Sequence, residues 1–165
     1  MDIRRTLKFL GQLLLAATVA LLLIINVLQG VYGVVVIAVV SGRSMYPLLR
    51  TGDIVFVIPR QLAGGINVGD VVVYRDQANE LIIHRVIDVE QCGELLYFRV
   101  KGDNNPIEDI FKYTTCPHNN DVRGIPEEWI VGKVLSLGND LVVKIPYLGL
   151  LKVSGFRVFR VPGVG

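Results

Sequence analysis

A serine in a tight polar turn and a histidine in an apolar run are the residues of this sequence best suited to covalent chemistry. Ser44 lies in Ser41-Gly-Arg-Ser-Met-Tyr-Pro47, shortly before a second apolar stretch begins at Asp53. A hydroxyl is a weak nucleophile until an adjacent base takes its proton, a third group orients that base and donors receive the oxyanion. The chain has 2 histidines. His84 falls within Leu81-Ile-Ile-His-Arg-Val-Ile87, where it reads equally as a general base or as a core histidine satisfied by a backbone carbonyl; His118 lies in a polar stretch and reads as solvated. For the acid, Lys101-Gly-Asp-Asn-Asn-Pro-Ile-Glu-Asp109 offers Asp103, Glu108 and Asp109, each of which also suits ordinary turn chemistry.

The elements that must position these groups are of two kinds. Hydrophobic residues make up 52% of the chain and charged ones 19%, too apolar for an ordinary soluble domain. The excess is concentrated: no residue from Phe9 to Gly42 carries a charge. Leu7 to Leu28 approaches the ~20 apolar residues that cross a hydrocarbon core as a helix. Gly30 and Gly33 interrupt the pattern, and the β-branched run 34–40 reads as a buried strand. A cleavable signal peptide would carry an apolar region of ~7–15 residues and an Ala-x-Ala site, neither of which is present, so a retained anchor is expected. Arg4, Arg5 and Lys8 flank the span on one side, and no basic residue lies between Leu28 and Arg43 on the other. The positive-inside rule therefore expects a single-pass protein with a cytoplasmic N-terminus and everything after the helix on the extracytoplasmic or lumenal side.

Beyond the anchor, short β-type runs at 53–58, 70–75, 81–89, 94–101, 129–137 and 141–145 are separated by turn residues. They predict a mainly β fold, a curled or partly closed barrel-like domain preceded by the one transmembrane helix. The expected organisation is residues 1–30 as N-terminus and anchor, 31–150 as the β-rich domain, and 151–165 as an apolar but basic tail suited to a membrane surface. Residues 103–127 read as a long polar loop. The formal net charge of +2 is too mild, and the cations too scattered, for nucleic-acid binding. No metal-ligand spacing and no Asn-x-Ser/Thr sequon is present, so no cofactor or metal is expected. Cys92 and Cys116 would lie on the oxidising side, as a disulfide or as thiols; sequence does not choose between them.

Taken in order after one span, Ser41-Gly-Arg-Ser-Met-Tyr-Pro with Leu-Leu-Arg-Thr-Gly-Asp-Ile-Val, then Ile-Ile-His-Arg-Val-Ile, then Lys-Gly-Asp-Asn-Asn-Pro-Ile-Glu-Asp, resemble the signature boxes of signal peptidase I. The closest resemblance is to the archaeal and endoplasmic-reticulum branch, whose second box carries histidine where the common bacterial enzymes have lysine. The resemblance covers roughly residues 34–150. It implies a β-rich serine endopeptidase at the outer membrane face that cuts signal peptides after small residues at −1 and −3. Carried over by position, it makes Ser44 the nucleophile, His84 the general base, Asp109 the acid of the triad and Asp103 a buried organiser. It also implies signal peptides, the lipid bilayer and accessory signal peptidase or translocon subunits as partners.

Many relatives in this family read Ser-Gly-Ser-Met, with a second hydroxyl two residues before the nucleophile. This chain has Gly42 there, so the oxyanion donors are expected to be backbone N–H groups near Ser44 and Met45. Met45, Tyr46 and Pro47 otherwise read as an apolar plug and a turn, and Asp53 as turn chemistry outside the catalytic set. Two other readings stay open: a Ser-Lys peptidase with Lys101 as base, and a catalytically silent, membrane-tethered β module that binds peptides.

Overall fold

The computed structural model describes residues 3–32, 36–110, 113–117, 119–138, 141–150 and 159–161. The chain divides into two compact units, residues 1–34 and 35–165. The first unit is helix α1, Ile3–Tyr32, longer at both ends than the expected 7–28 because neither Arg4 and Arg5 nor Gly30 breaks it. Its segment Ile3–Val27, 25 residues with mean hydropathy 2.3, is long and apolar enough to cross a membrane. Two polar side chains inside it are satisfied within the helix. Thr18 donates to the Leu14 carbonyl and Asn26 to the Leu22 carbonyl, the economy that a solvent without hydrogen-bonding partners requires.

The second unit is built from β1 (Ile37–Val40), β2 (Ile54–Pro59), β3 (Val71–Arg75), β4 (Leu81–Cys92), β5 (Leu95–Lys101), β6 (Thr114–Cys116), β7 (Asn119–Pro126), β8 (Ile130–Val134), β9 (Ser136–Leu137), β10 (Leu141–Val142), β11 (Lys144–Ile145) and β12 (Phe159–Val161). The main sheet runs β12-β1-β2-β8-β3-β4-β5-β7-β6, with β11 added to β2 and β9 paired to β10 separately. β1 and β12 are parallel, and the other described pairs are antiparallel. The sheet curls into a half-barrel, so the central strands are covered on both faces. In β3, Val71 and Val73 pack with Ala38, Val55, Leu81 and Ile83, while Val72 and Tyr74 pack with Ile82, Val86, Phe98 and Val100. That two-sided burial is why β3 and the start of β4 read as continuous apolar runs without the alternation of a half-exposed strand. Their β-branched residues suit a pleated surface.

Two expected runs are split. The 129–137 stretch breaks at Leu135, whose N–H turns to the Phe56 carbonyl of β2, and the 141–145 stretch breaks at Val143, whose N–H goes to the Leu135 carbonyl. The polar stretch 103–127, expected as a loop, contains the whole of β6 and β7, paired antiparallel, with β7 also paired to β5. Cys92 at the end of β4 is joined to Cys116 in β6, which settles the choice between disulfide and thiols. In the chain-entropy account a closed loop of this length stabilises the fold by about 3 kcal/mol. Of the expected tail 151–165, Phe159–Val161 form β12 on the outer edge of β1, and the rest lies outside the described residues.

Candidate active site

His84 is the fourth residue of β4 and sits opposite Val72 of β3, within a ladder of five consecutive residue pairs. Strand alternation points it to the face of Ile82 and Val86, and it is 2% exposed. A β-bulge between Val86 and Asp88 sharpens the bend of β4 against β5, and Arg85 then faces Lys101 at the end of β5. The chain leaving β5 turns through Gly102 and Asn105 and returns so that the Asp109 N–H donates to the Val100 carbonyl. This return brings the Asp109 carboxylate to the imidazole: Nδ1–H of His84 donates to Oδ2 of Asp109. The Tyr74 hydroxyl donates to the same oxygen at 2.6 Å. Tyr74 is fully buried, and burial first, then the Asp109 charge beside it, pushes its phenol far up, so it remains a donor throughout the working pH range.

Next to Asp109, Glu108 is held by a two-pronged bond from Arg99, at 2.8 and 2.7 Å, and by the Tyr113 hydroxyl at 2.9 Å. The Arg99 hydrogen bonds hold the Glu108 carboxyl below its ordinary range despite partial burial. Tyr113 also accepts from the Val100 N–H, so the 108–109 corner is fixed by side chains and backbone together.

Ser44 docks on the 102–104 turn that leads into this corner. After β1 the chain turns with Tyr46 N–H on the Arg43 carbonyl and Leu49 N–H on the Met45 carbonyl. Thr51 closes the entry to this turn: its Oγ1 accepts the Gly42 N–H at 3.1 Å and donates to the Gly42 carbonyl at 2.8 Å, with Gly42 at φ 104°, a conformation that needs glycine. The Ser44 carbonyl accepts the Asn104 N–H at 2.7 Å, and a Cβ on Gly102 would stand 2.7 Å from that same oxygen. Gly102 is therefore glycine because the Ser44 turn docks directly on its backbone.

Ser44 is nearly buried, and Met45 is a core residue at 1% exposure, so any contact of Met45 with a peptide falls to its backbone. Among the described residues, the N–H groups of Ser44 and Met45 have no acceptor. Nε2 of His84 is the one buried side-chain nitrogen or oxygen without a hydrogen-bond partner among the described residues. The arrangement can do acid-base work: an oriented imidazole whose free nitrogen is screened from water, a hydroxyl on a turn docked to the Gly102–Asn104 return that leads to Asp109, and two spare backbone donors. The Ser44 hydroxyl does not bond Nε2 here, and such contacts commonly close only when substrate binds.

Two sequence expectations need correction. Asp103 was expected as a buried organiser, but its carboxylate is 20% accessible and is gripped by the Arg85 guanidinium through two 2.8 Å bonds. Asp53 was expected as simple turn chemistry, but it is fully buried. It accepts from Lys144 Nζ at 2.7 Å and from the N–H groups of Arg50 and Tyr147, while Lys144 also donates to the Leu48 carbonyl at 2.6 Å. A lone lysine in the apolar run 141–145 and a lone acid opening another were the visible signals; a lone tyrosine in Val71-Val-Val-Tyr-Arg75 was the third.

Comparison with known proteins places this geometry. No family model matches the chain. Signal peptidase I W of Bacillus subtilis is 35% identical over 79 residues, 48% of this chain and 41% of that protein. The signal peptidase complex catalytic subunit SEC11 of Pyricularia oryzae is 29% identical over 118 residues, 71% of this chain and 62% of that protein. That of Candida tropicalis is 31% identical over 126 residues, 72% of this chain and 75% of that protein. The chain belongs to the signal peptidase family. It spans between two and three fifths of the length of the Bacillus and Pyricularia relatives. For a signal peptidase, the mainly β fold and single N-terminal apolar helix agree with what the resemblance implied.

Proposed function

We propose that this chain is a membrane-anchored serine endopeptidase that removes signal peptides from preproteins, with Ser44 as nucleophile, His84 as general base and Asp109 as the acid that orients it. The observation that carries the reading is the His84 imidazole, bonded through Nδ1–H to Asp109 and bare at a buried Nε2. In this mechanism Ser44 Oγ attacks the scissile carbonyl while Nε2 takes its proton, and the N–H groups of Ser44 and Met45 receive the oxyanion. Nε2–H then protonates the leaving amine. A water, deprotonated by the same nitrogen, releases the acyl group. Asp109 holds the tautomer and stabilises the imidazolium.

The finer assignments follow from the same reading. Residues 1–30 serve as N-terminus and anchor, 31–150 as the peptidase, and 151–165 as a tail. The N-terminus is cytoplasmic, the peptidase faces the outside or the lumen, and the bilayer presents the substrate. Cleavage follows small residues at −1 and −3. Because the relatives in Pyricularia and Candida are named as catalytic subunits of a complex, accessory subunits are proposed partners here as well. Purified full chain in detergent should cut a test preprotein at its signal-peptide junction, and wild-type chain that cuts none, even in its own membranes, would favour the silent peptide-binding module.

A Ser-Lys mechanism is the weaker reading. Lys101 pairs across the β4–β5 ladder with Arg85, a cation, and the bonded imidazole already fills the base position.

A further inference from the structure

Resting on the Ser44–His84–Asp109 reading, we infer that Tyr74 is a positioning residue of the catalytic centre, whose hydroxyl fixes the Asp109 carboxylate and sets how strongly that carboxylate draws a proton onto His84. The geometry is specific. Tyr74 lies in β3 and His84 in β4, with ring centroids 6.5 Å apart, and both donate to one oxygen, Oδ2 of Asp109. A carboxylate on the short 108–110 return has only its neighbours to hold its rotamer; the phenol at 2.6 Å supplies a second donor from a strand that is covered on both faces. A buried tyrosine that packed only as an aromatic would leave its hydroxyl as a cost, whereas here the cost is offset by a charge-assisted bond.

Sharing the oxygen also has an electrical consequence. Each donor takes up part of the carboxylate's charge, so the phenol weakens the pull of Asp109 on a proton at His84. The other ionisable groups around this corner have partners of their own. Glu108 is held by Arg99 and Tyr113, Asp103 by Arg85, and Asp70 by Lys133 at 2.8 Å, while Asp76 accepts the Glu80 N–H and Lys101 lies across from Arg85. None of them donates to Oδ2 of Asp109.

The test uses full-length chain in detergent with a test preprotein, reading kcat, KM and the acidic limb of the rate profile. Removing the hydroxyl in Tyr74→Phe should lower kcat about tenfold, the cost of one charge-assisted hydrogen bond, with KM changed less than about twofold. The acidic limb should move to higher pH, because a carboxylate with one donor fewer favours the protonated pair. Replacing Tyr74 with 3-fluorotyrosine keeps the shape and strengthens the donor, and should move the limb to lower pH. With ring-labelled histidine, the His84 resonances should follow these two shifts while those of His118 stay in place, a readout independent of activity and of any loss of stability in one variant. Limbs and resonances that do not move in either variant would make Tyr74 a packing residue only. Full activity of Asp109→Ala, run in parallel, would instead overturn the triad reading on which this inference rests.

Discussion

The turn that carries Ser44 and the corner that carries His84 and Asp109 are anchored in different ways. His84 and Asp109 are joined by side chains within one hairpin and its return: β4, β5 and residues 102–110, with Tyr74 added from the neighbouring strand. The Ser44 turn is held through its own backbone groups. Its carbonyl rests on Asn104, Thr51 closes on Gly42, and its far end is tied to Asp53 and Lys144, residues 91 apart in sequence. One side is an assembled hydrogen-bond network around the imidazole. The other is a mechanical mount for a hydroxyl. Side chains in the first should matter for chemistry first, and side chains in the second should matter for stability first.

The largest effect expected from this contrast is on turnover. Ser44→Ala and Asp109→Ala should each cost on the order of 10⁴–10⁶ in preprotein cleavage with the fold retained, thermal unfolding barely changing in Ser44→Ala and Asp109→Ala losing about 1–3 kcal/mol for the buried donors it leaves bare, since triad members act as a unit. Loss of fold in Asp109→Ala would break the distinction from the catalytic side. From the mount side, Lys144→Met leaves the buried Asp53 carboxylate without its counter-ion and should destabilise the β unit by about 3–5 kcal/mol in denaturant unfolding. Asp53→Asn, which keeps an acceptor and leaves the quarter-exposed Lys144 to water, should cost clearly less. Equal costs for the two would mean that the pair does not behave as a buried charge with a partly solvated partner.

Between the two regions sits Gly102. Gly102→Ala pushes a methyl against the Ser44 carbonyl, so kcat should fall at least about tenfold with KM little changed, as misplacement of a reacting group predicts. Unchanged kcat would show that the Asn104–Ser44 contact does not set the nucleophile's position.

The smallest effect concerns acid. Arg99 holds the Glu108 carboxyl below its ordinary range, so its stabilisation is complete above the unfolded value of about 4.3 and fades as pH falls through the lower folded value. Glu108→Gln should therefore be less stable than wild type at neutral pH, by under about 1 kcal/mol for so accessible a pair, and the gap should close below about pH 4. A gap that widens on acidification would contradict the sign.

What was legible in the sequence follows the same division. The span, the short strands and the fold class could be read because they rest on local periodicity, and the boxes brought forward Ser44, His84 and Asp109 as residue types in a familiar order. Asp53 with Lys144, and Tyr74 with Asp109, could not be paired from sequence, since strands far apart in the chain meet only through the order β11-β2 and β3-β4. The stretch 103–127 misled for a related reason. Its Asn, Asp and Pro content is turn-like, yet a disulfide to Cys92 and the edge of β5 give β6 and β7 the partners that their composition does not advertise.

The central claim is that the imidazole in the assembled network, and not the neighbouring lysine, is the base. It is tested most directly by preprotein cleavage across pH with His84→Ala and Lys101→Ala beside wild type. The account predicts that His84→Ala loses cleavage by on the order of 10⁴ or more across the pH range and that Lys101→Ala stays within a few-fold of wild type. Cleavage that survives in His84→Ala and collapses in Lys101→Ala would contradict it.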